Sequence, residues 1–296
     1  MDTQTELAIV RRAYAKQTLA AAGIADPRLQ EAFGAVPRED FLGPGPWLVF
    51  HMPGFYKPTI DADPVLLYGN QLFGLVAARH INNGQPSLHA ALLAASAIQP
   101  GDHVVHIGAG TGYYSAIMSR LAGRVTAVEY DGGLATRART NLAPYSNVSV
   151  IEGNGGTVPL DTADVIYVNA GVTHVVDAWL DGLADGGRLI VPLTTDSNTR
   201  SPNSMQLSGL YFKIQRRGSQ FDARALLPTA IIAAEGMRDP AAEAALAAAF
   251  SKGGWNKVTR LVRGSSVPDD QCWLRGDGWS LTGPATSTPA TAPPDP

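Results

Sequence analysis

Cysteine and clustered basic residues are nearly absent from this chain of 296 residues. Its one cysteine, Cys272, cannot form a disulfide within the chain and excludes a zinc site built from several cysteines. The chain has 23 Lys and Arg residues and 26 Asp and Glu residues, which gives a net charge of −3, and it contains no basic run. Because phosphate neutralisation needs clustered cations, we expect no nucleic-acid partner. No spacing of histidines and carboxylates indicates a metal site either.

Long hydrophobic runs are also missing. No apolar stretch approaches the ~20 residues that cross a bilayer. The first residues, MDTQTELAIVRRAYAKQ, lack the apolar core of a secretory signal. Apolar residues nevertheless make up 45% of the chain, enough for a sizeable core. These features predict a soluble, cytoplasmic protein without a membrane partner, and they leave its oligomeric state open.

The order of predicted helices and strands divides the chain into four regions. Residues 1–80 carry N-terminal helices and an aromatic loop, and residues 81–235 alternate helices with short apolar strands. Residues 236–282 form an α+β extension, and 283–296 (GPATSTPATAPPDP) is a disordered tail. The alternation predicts a doubly wound α/β fold with a mostly parallel, Rossmann-like sheet. Its strands are predicted at 103–107, 124–129, 148–152, 164–169, 188–193, 204–214 and 226–234, with a further pair at 257–263 and 271–281.

The segment 41–75 combines many prolines and glycines with scattered aromatic residues, among them Trp47 and Tyr56. Long loops in compact proteins are often functional, and ligand pockets are often lined by aromatic side chains. Two interpretations carry equal weight here. The aromatic side chains either anchor the loop on the domain or form a lid over an acceptor.

A glycine-rich turn between two predicted strands is the most informative feature. The strand 103–107 runs into the sequence GAGTG at 108–112, and the acid Glu129 ends the next strand. Glycines there let the backbone approach a ligand, and the carboxylate can accept hydrogen bonds from both ribose hydroxyls of an adenosine. Dinucleotide sites require a third glycine where this chain has Tyr113. The spacing therefore favours S-adenosylmethionine over a nicotinamide cofactor.

Six stretches, two of which contain the glycine turn and Glu129, make the interpretation specific, because together they resemble the protein-L-isoaspartate (D-aspartate) O-methyltransferase family and occur in that family's order. They are ADPRLQEAFGAVPREDF at 25–41, GQP at 84–86, IQPGDHVVHIGAGTGYYSA at 98–116, RVTAVEYD at 124–131, NVSVIEGNGG at 147–156 and DGGRLIVPL at 185–193. The resemblance covers about residues 5–235. It implies a class I methyltransferase that uses S-adenosyl-L-methionine, releases S-adenosyl-L-homocysteine and methylates a carboxylate of a protein, peptide or related small-molecule acceptor.

The resemblance also implies the site residues, carried over by position. The cofactor-binding positions are His106, Gly108, Ala109, Gly110, Thr111, Gly112, Tyr113, Glu129, Tyr130, Asn154, Gly155 and Asn169. The acceptor site would be lined by Gly84, Gln85 and Asn169. No catalytic base is assigned, because a carboxylate acceptor is already ionised at neutral pH.

Two positions depart from the family pattern. Gly84 stands where the family has a serine near the reacting carboxylate, and His106 replaces an acid on the strand before the glycine turn. His106 either lies near the cofactor or has a core role. At position 84 we expect a missing hydroxyl and vacated space. On this basis we predict that standard isoaspartyl peptides are poor substrates.

Two alternatives remain beside this interpretation. One is a methyltransferase of the same fold that acts on a small molecule or a biosynthetic peptide. The other is a protein that binds S-adenosylmethionine without catalysing transfer, and the missing serine favours it. A nicotinamide-dependent oxidoreductase is the least supported alternative.

Overall fold

The computed structural model describes residues 3–52, 54–195, 208–264 and 267–285. The N-terminal part contains helices α1 (Thr3–Ala21), α2 (Pro27–Ala35) and α3 (Glu39–Leu42). Helix α2 begins at residues typical of a helix start, because Pro27 is its first residue and the Asp26 carboxylate accepts hydrogen bonds from the N–H groups of Arg28 and Leu29. None of the described helices combines the length and apolar character that a bilayer span requires.

The segment 41–75, predicted as a long aromatic loop, contains one small antiparallel hairpin and the start of a second. Strands β1 (Leu48–His51) and β2 (Phe55–Pro58) form the first, and β3 (Gly74–Val76) and β4 (Ile81–Asn82) form the second. Their strands have two to four residues, too few to show an alternating pattern in the sequence. The hairpins are joined by the bridge between Val49 and Phe73.

One ten-stranded sheet organises the rest of the chain. Its parallel half contains β5 (His103–Ile107), β6 (Arg124–Glu129), β7 (Val148–Glu152), β8 (Ala163–Val168) and β9 (Leu183–Thr194). Its antiparallel half contains β10 (Gly209–Arg217), β11 (Gln220–Pro228), β12 (Arg260–Arg263), β13 (Cys272–Arg275) and β14 (Trp279–Thr282). The strand order is β13-β14-β12-β11-β10-β9-β8-β5-β6-β7.

Helices cover both faces of this sheet, as the alternation of side chains along β5 shows. Val104 belongs to a core shared with α1, α2, α4 (Pro86–Ser96), α5 (Tyr113–Ser119) and α6 (Gly132–Leu142). Its neighbour Val105 belongs to a second core shared with α7 (Asp177–Gly182) and α8 (Pro240–Lys252). Successive strand residues point to opposite faces, so a sheet buried on both sides reads as a continuous apolar run. The predicted doubly wound α/β fold is confirmed.

The C-terminal part differs from its prediction in three places. The predicted strand 204–214 is wrong in its bounds, since β10 runs from Gly209 to Arg217, and residues 204–207 lie outside the described residues. The predicted strand 226–234 is wrong in its bounds, since β11 ends at Pro228 and the apolar residues after it run along a cavity instead. The predicted strand pair of the extension is three strands, β12 to β14, which continue the main sheet. Of the tail predicted to be disordered, residues 286–296 lie outside the described residues.

Candidate functional site

A cavity of about 400 Å³ opens at the carboxyl ends of β5, β6, β7 and β8. After β7 the chain crosses to β8, on the other side of β5, and open α/β sheets bind ligands at such a switch point. The strand ends contribute Ile107, Gly108, Ala109, Gly110, Thr111, Tyr113, Tyr114, Val128, Glu129, Tyr130, Asp131, Leu134, Gly153, Gly155, Asn169 and Ala170 to its lining. Distant segments contribute Leu75, Arg79, Ile81, Asn82, Asn83, Ile232, Ala233, Ala234, Glu235 and Met237.

The glycine turn brings bare backbone to the cavity wall. Gly108 has a φ of +77°, and a Cβ atom there would stand 3.1 Å from the carbonyl oxygen of Asn169. Only glycine lets the β5 and β8 ends approach so closely without strain. Gly112 has a different task, because its missing Cβ makes room for Leu142 of α6, and it does not line the cavity.

Glu129 joins this turn to the next one. Its carboxylate accepts hydrogen bonds from the N–H groups of Gly110 at 2.7 Å and Asp131 at 2.9 Å. The residue is 8% exposed, and burial raises the pKa of its carboxyl while the two backbone donors oppose the rise. An anchored carboxylate on the wall can accept hydrogen bonds from ligand hydroxyls with little loss of side-chain entropy.

Tyr130 and an ion-pair cluster form the rim beside Glu129. Tyr130 is half exposed and lines the cavity. The guanidinium of Arg79 lies 2.5 Å from the Asp131 carboxylate and 2.9 Å from that of Glu235. The charged side chains of the described lining are those of Arg79, Glu129, Asp131 and Glu235, that is, one guanidinium and three carboxylates. This balance favours a ligand with positive charge over one that carries phosphates.

Several predicted positions lie behind the lining. The Asn154 side chain donates to the Gly236 carbonyl at 3.0 Å and accepts from the Gly156 N–H at 2.8 Å, and so ties the β7 end to the C-terminal segment. His106 is fully buried within the core, where its Nδ1 lies 2.8 Å from the Ser115 hydroxyl. Burial lowers the pKa of His106 to about 3, so its ring is neutral.

Of the three residues predicted to line the acceptor site, one lines the cavity and two do not. Asn169 lines the cavity, and its side chain donates to the Gly108 carbonyl at 3.3 Å. Gln85 is exposed at the start of α4, and neither Gln85 nor Gly84 lines the cavity.

The expectation of vacated space at Gly84 is wrong. A Cβ atom on Gly84 would stand 2.2 Å from Nε2 of His89, so the His89 ring fills this space. That ring is stacked on Tyr114 at 3.6 Å between centroids, and its Nδ1 lies 2.7 Å from the Tyr167 hydroxyl. Gly84 also has a φ of +76°, which serine adopts only with strain. A simple exchange of Gly84 for serine therefore does not test the missing hydroxyl.

The aromatic residues of the segment 41–75 reach the cavity only indirectly. Trp47 is buried, with its indole N–H donated to the Gly43 carbonyl at 2.8 Å. Tyr56 packs against Phe50 and His80, and neither Trp47 nor Tyr56 lines the cavity. The later residues Leu75, Arg79 and Asn83, which the sequence analysis did not single out, do line it.

Among the described residues, no group of three or more His, Cys, Asp and Glu side chains is arranged to hold a metal.

Comparisons with known proteins show which sequences this chain resembles. Residues 14–209 match the family described as protein-L-isoaspartate(D-aspartate) O-methyltransferase. The chain is 33% identical over 203 residues to protein-L-isoaspartate O-methyltransferase 1 of Rhodopseudomonas palustris (strain HaA2), covering 67% of this chain and 75% of the relative. It is 36% identical over 187 residues to the Methanoregula boonei protein-L-isoaspartate O-methyltransferase, covering 62% of this chain and 77% of the relative.

Solved structures resemble the fold as well. A protein-L-isoaspartate O-methyltransferase structure superposes with a TM-score of 0.62 at 23% identity and covers 93% of this chain and 88% of its own. A Plasmodium falciparum structure of that name, in complex with S-adenosyl-L-homocysteine, superposes with a TM-score of 0.57 at 17% identity, covering 76% of this chain and 98% of its own. At these identities the likeness concerns the fold alone.

Proposed function

The chain belongs to the protein-L-isoaspartate (D-aspartate) O-methyltransferase family and is an S-adenosylmethionine-dependent methyltransferase, and on this premise we propose that its acceptor is a carboxylate of a protein or peptide. The acceptor class follows from the family match, and the observation that carries the cofactor half is the Glu129 carboxylate, fixed on the wall of a cavity beside a glycine turn at the sheet's switch point.

The described residues fit the cofactor in shape and charge. Glu129 is placed to accept hydrogen bonds from the ribose hydroxyls, Gly108 and Gly110 offer close backbone approach, and Tyr130 offers an aromatic face at the rim. The excess of carboxylates on the wall suits a cationic ligand, whereas the pyrophosphate of a nicotinamide dinucleotide would be repelled.

Methyl transfer to a carboxylate requires the protein to position the two reactants and does not require a general base. When bound, S-adenosylmethionine supplies a methyl group on a positively charged sulfur, which keeps the electron pair of the broken carbon–sulfur bond as the acceptor oxygen forms the ester. The acceptor carboxylate is ionised at neutral pH, so no proton has to be removed. Asn169, Tyr114 and the backbone of the glycine turn enclose the reacting region and restrict the approach of the acceptor.

Ligand binding tests the cofactor half of the proposal. S-adenosyl-L-homocysteine should raise the melting temperature, because a ligand selective for the folded state stabilises it by mass action. NAD at the same concentration should leave the melting temperature unchanged. Stabilisation by NAD alone would contradict the proposal.

Transfer of a radioactive methyl group tests the acceptor half. With labelled S-adenosylmethionine, an isoaspartyl peptide should acquire label that mild base releases as methanol, which identifies a methyl ester. Label that resists base would indicate methylation of nitrogen, and no label on any carboxylate-bearing peptide would leave the protein as a binder of the cofactor.

A further inference from the structure

The loop between β4 and α4 places a buried amide with an unpaired donor on the cavity wall. Asn83 lines the cavity and is 7% exposed, and its Nδ2 has no hydrogen-bond partner among the described residues. Leaving a buried donor unpaired costs free energy, so buried polar groups are nearly always satisfied by protein, water or a ligand. Asn83 belongs to the lining of a ligand cavity, so we expect the missing partner of its buried Nδ2 to arrive with the ligand.

The orientation of this amide follows from its other contacts. The N–H of Phe73 donates to Oδ1 of Asn83 at 2.7 Å, and the N–H of Asn83 donates to the Phe73 carbonyl at 3.0 Å. Phe73 is fully buried, so its N–H group has no access to solvent. A flipped amide would set two donors against each other, and Nδ2 is therefore the atom that remains free.

The neighbouring residues cannot offer the same donor. Gly84 has no side chain, and the His89 ring blocks the place where a longer residue would begin. The Asn82 amide accepts from the Gly84 N–H at 3.0 Å, and its Nδ2 lies within 3.5 Å of the Tyr56 hydroxyl and the His80 carbonyl. Asn83 thus carries the buried unpaired side-chain donor of this loop.

We propose that Nδ2 of Asn83 donates a hydrogen bond to the carboxylate that accepts the methyl group, an assignment that rests on the proposed function. Arg79 carries the one guanidinium of the described lining, and it already pairs with the carboxylates of Asp131 and Glu235 at the rim. An acceptor carboxylate must then be held by neutral donors, and a hydrogen bond to an ionised group is stronger than one between neutral groups. Asn83 takes over the contact that a serine at position 84 would make, so the missing hydroxyl alone does not make isoaspartyl peptides poor substrates.

The chemistry determines which kinetic constant depends on Asn83. The acceptor carboxylate loses its negative charge as the ester forms. A hydrogen bond donated to it is therefore stronger in the ground state than in the transition state. Asn83 therefore binds and orients the acceptor, and its loss should raise KM more than it lowers kcat.

Asn83→Asp is the matched test, because it retains Oδ1 for the Phe73 N–H and replaces the free donor with an anion. We expect KM for an isoaspartyl peptide to rise about 100-fold, from the lost hydrogen bond and the added repulsion. Affinity for S-adenosyl-L-homocysteine, measured by calorimetry, should change less than about 3-fold. Asn70→Asp is the control, since Asn70 is exposed outside the cavity and its Oδ1 accepts from the Ser87 N–H at 2.9 Å.

A pH series separates this role from a structural one. When the pH is lowered from 8 to about 5.5, the introduced carboxyl becomes protonated in part and regains a donor. The activity of Asn83→Asp relative to the unsubstituted enzyme should therefore rise, whereas a folding defect would not recover in this way.

Three results would overturn the assignment, and each has a different meaning. An unchanged KM in Asn83→Asp would remove Asn83 from the acceptor site. An equal loss of affinity for S-adenosyl-L-homocysteine would assign the carboxylate to the cofactor's methionine group instead. Failure of the unsubstituted, cofactor-binding enzyme to esterify the peptide would contradict the proposed function itself and remove the premise of the assignment.

Discussion

The cavity has one wall that the chain builds locally and another that it assembles from distant segments. The first wall consists of the turns that follow β5 to β8, and we call it the strand-end wall. The second consists of residues 75–83 and 232–237, and we call it the far wall. Glycines and an acid at fixed spacing mark the strand-end wall in the sequence, whereas the far wall has no such pattern. On this basis we propose that the strand-end wall binds the cofactor and that the far wall contributes to the choice of acceptor.

The far wall depends on a packed support, and Gly84→Ser should disrupt it with the largest effect. The added side chain would collide with His89, and the serine backbone would have to keep a positive φ. Together these should lower the free energy of unfolding by about 3 kcal/mol. Chemical denaturation measures this loss. Gly218→Ser is the control, because Gly218 also has a positive φ but nothing within 4 Å of its Cβ position, so it isolates the backbone strain.

A double variant separates the collision from other causes. With His89→Ala present, the further cost of Gly84→Ser should fall to that of Gly218→Ser, since contacting residues are not additive. Equal costs in the presence and absence of His89 would show that the ring does not restrict position 84.

The strand-end wall is tested by Glu129→Ala. Loss of the carboxylate would leave ribose hydroxyls unpaired, and affinity for S-adenosyl-L-homocysteine should fall by ~1–3 kcal/mol. Glu152→Ala is a matched control, because Glu152 ends the adjacent strand opposite Glu129 in register but is half exposed and outside the cavity. If both variants bind equally well, Glu129 does not hold the ribose.

The difference between the two walls also explains how far the sequence could predict the structure. The bounds of β5, β6 and β7 are as predicted. For β5 and β6 the reason is that strands buried on both faces give short apolar runs between turn residues. Position 84 could not be interpreted from sequence alone, since His89, which fills the space beside it, lies on the following helix. Asn83 was missed for a similar reason, because its meaning depends on the contact with Phe73.

Two buried histidines, His89 and His106, should make stability depend on pH. Burial lowers the pKa of His106 to about 3, and it lowers that of His89 well below the usual range, with His106 and Arg38 adding to the effect. In the unfolded chain both would titrate near 6.5. As pH falls below 6.5 the unfolded state binds protons that the folded state does not, so stability is lost.

For His106 this loss amounts to about 2 kcal/mol between pH 7 and pH 5. Denaturation midpoints across this range should therefore vary less steeply with pH in His106→Gln than in the unsubstituted protein. The slope is the relevant quantity, because the substitution also changes stability at neutral pH. An identical slope would indicate that His106 titrates normally in the folded state.

The smallest effect is expected where the two walls meet. Arg79 on the far wall pairs with Asp131 on the strand-end wall, and also with Glu235. These side chains are partly exposed, so each pair is weak and is screened by salt. Arg79→Gln should accelerate release of S-adenosyl-L-homocysteine a few-fold at low ionic strength, and the difference should shrink as salt is added. Arg139→Gln, which breaks the comparable Arg139–Glu152 pair outside the cavity, should leave release unchanged. If stopped-flow rates are the same for both variants, the walls close over the ligand without help from this contact.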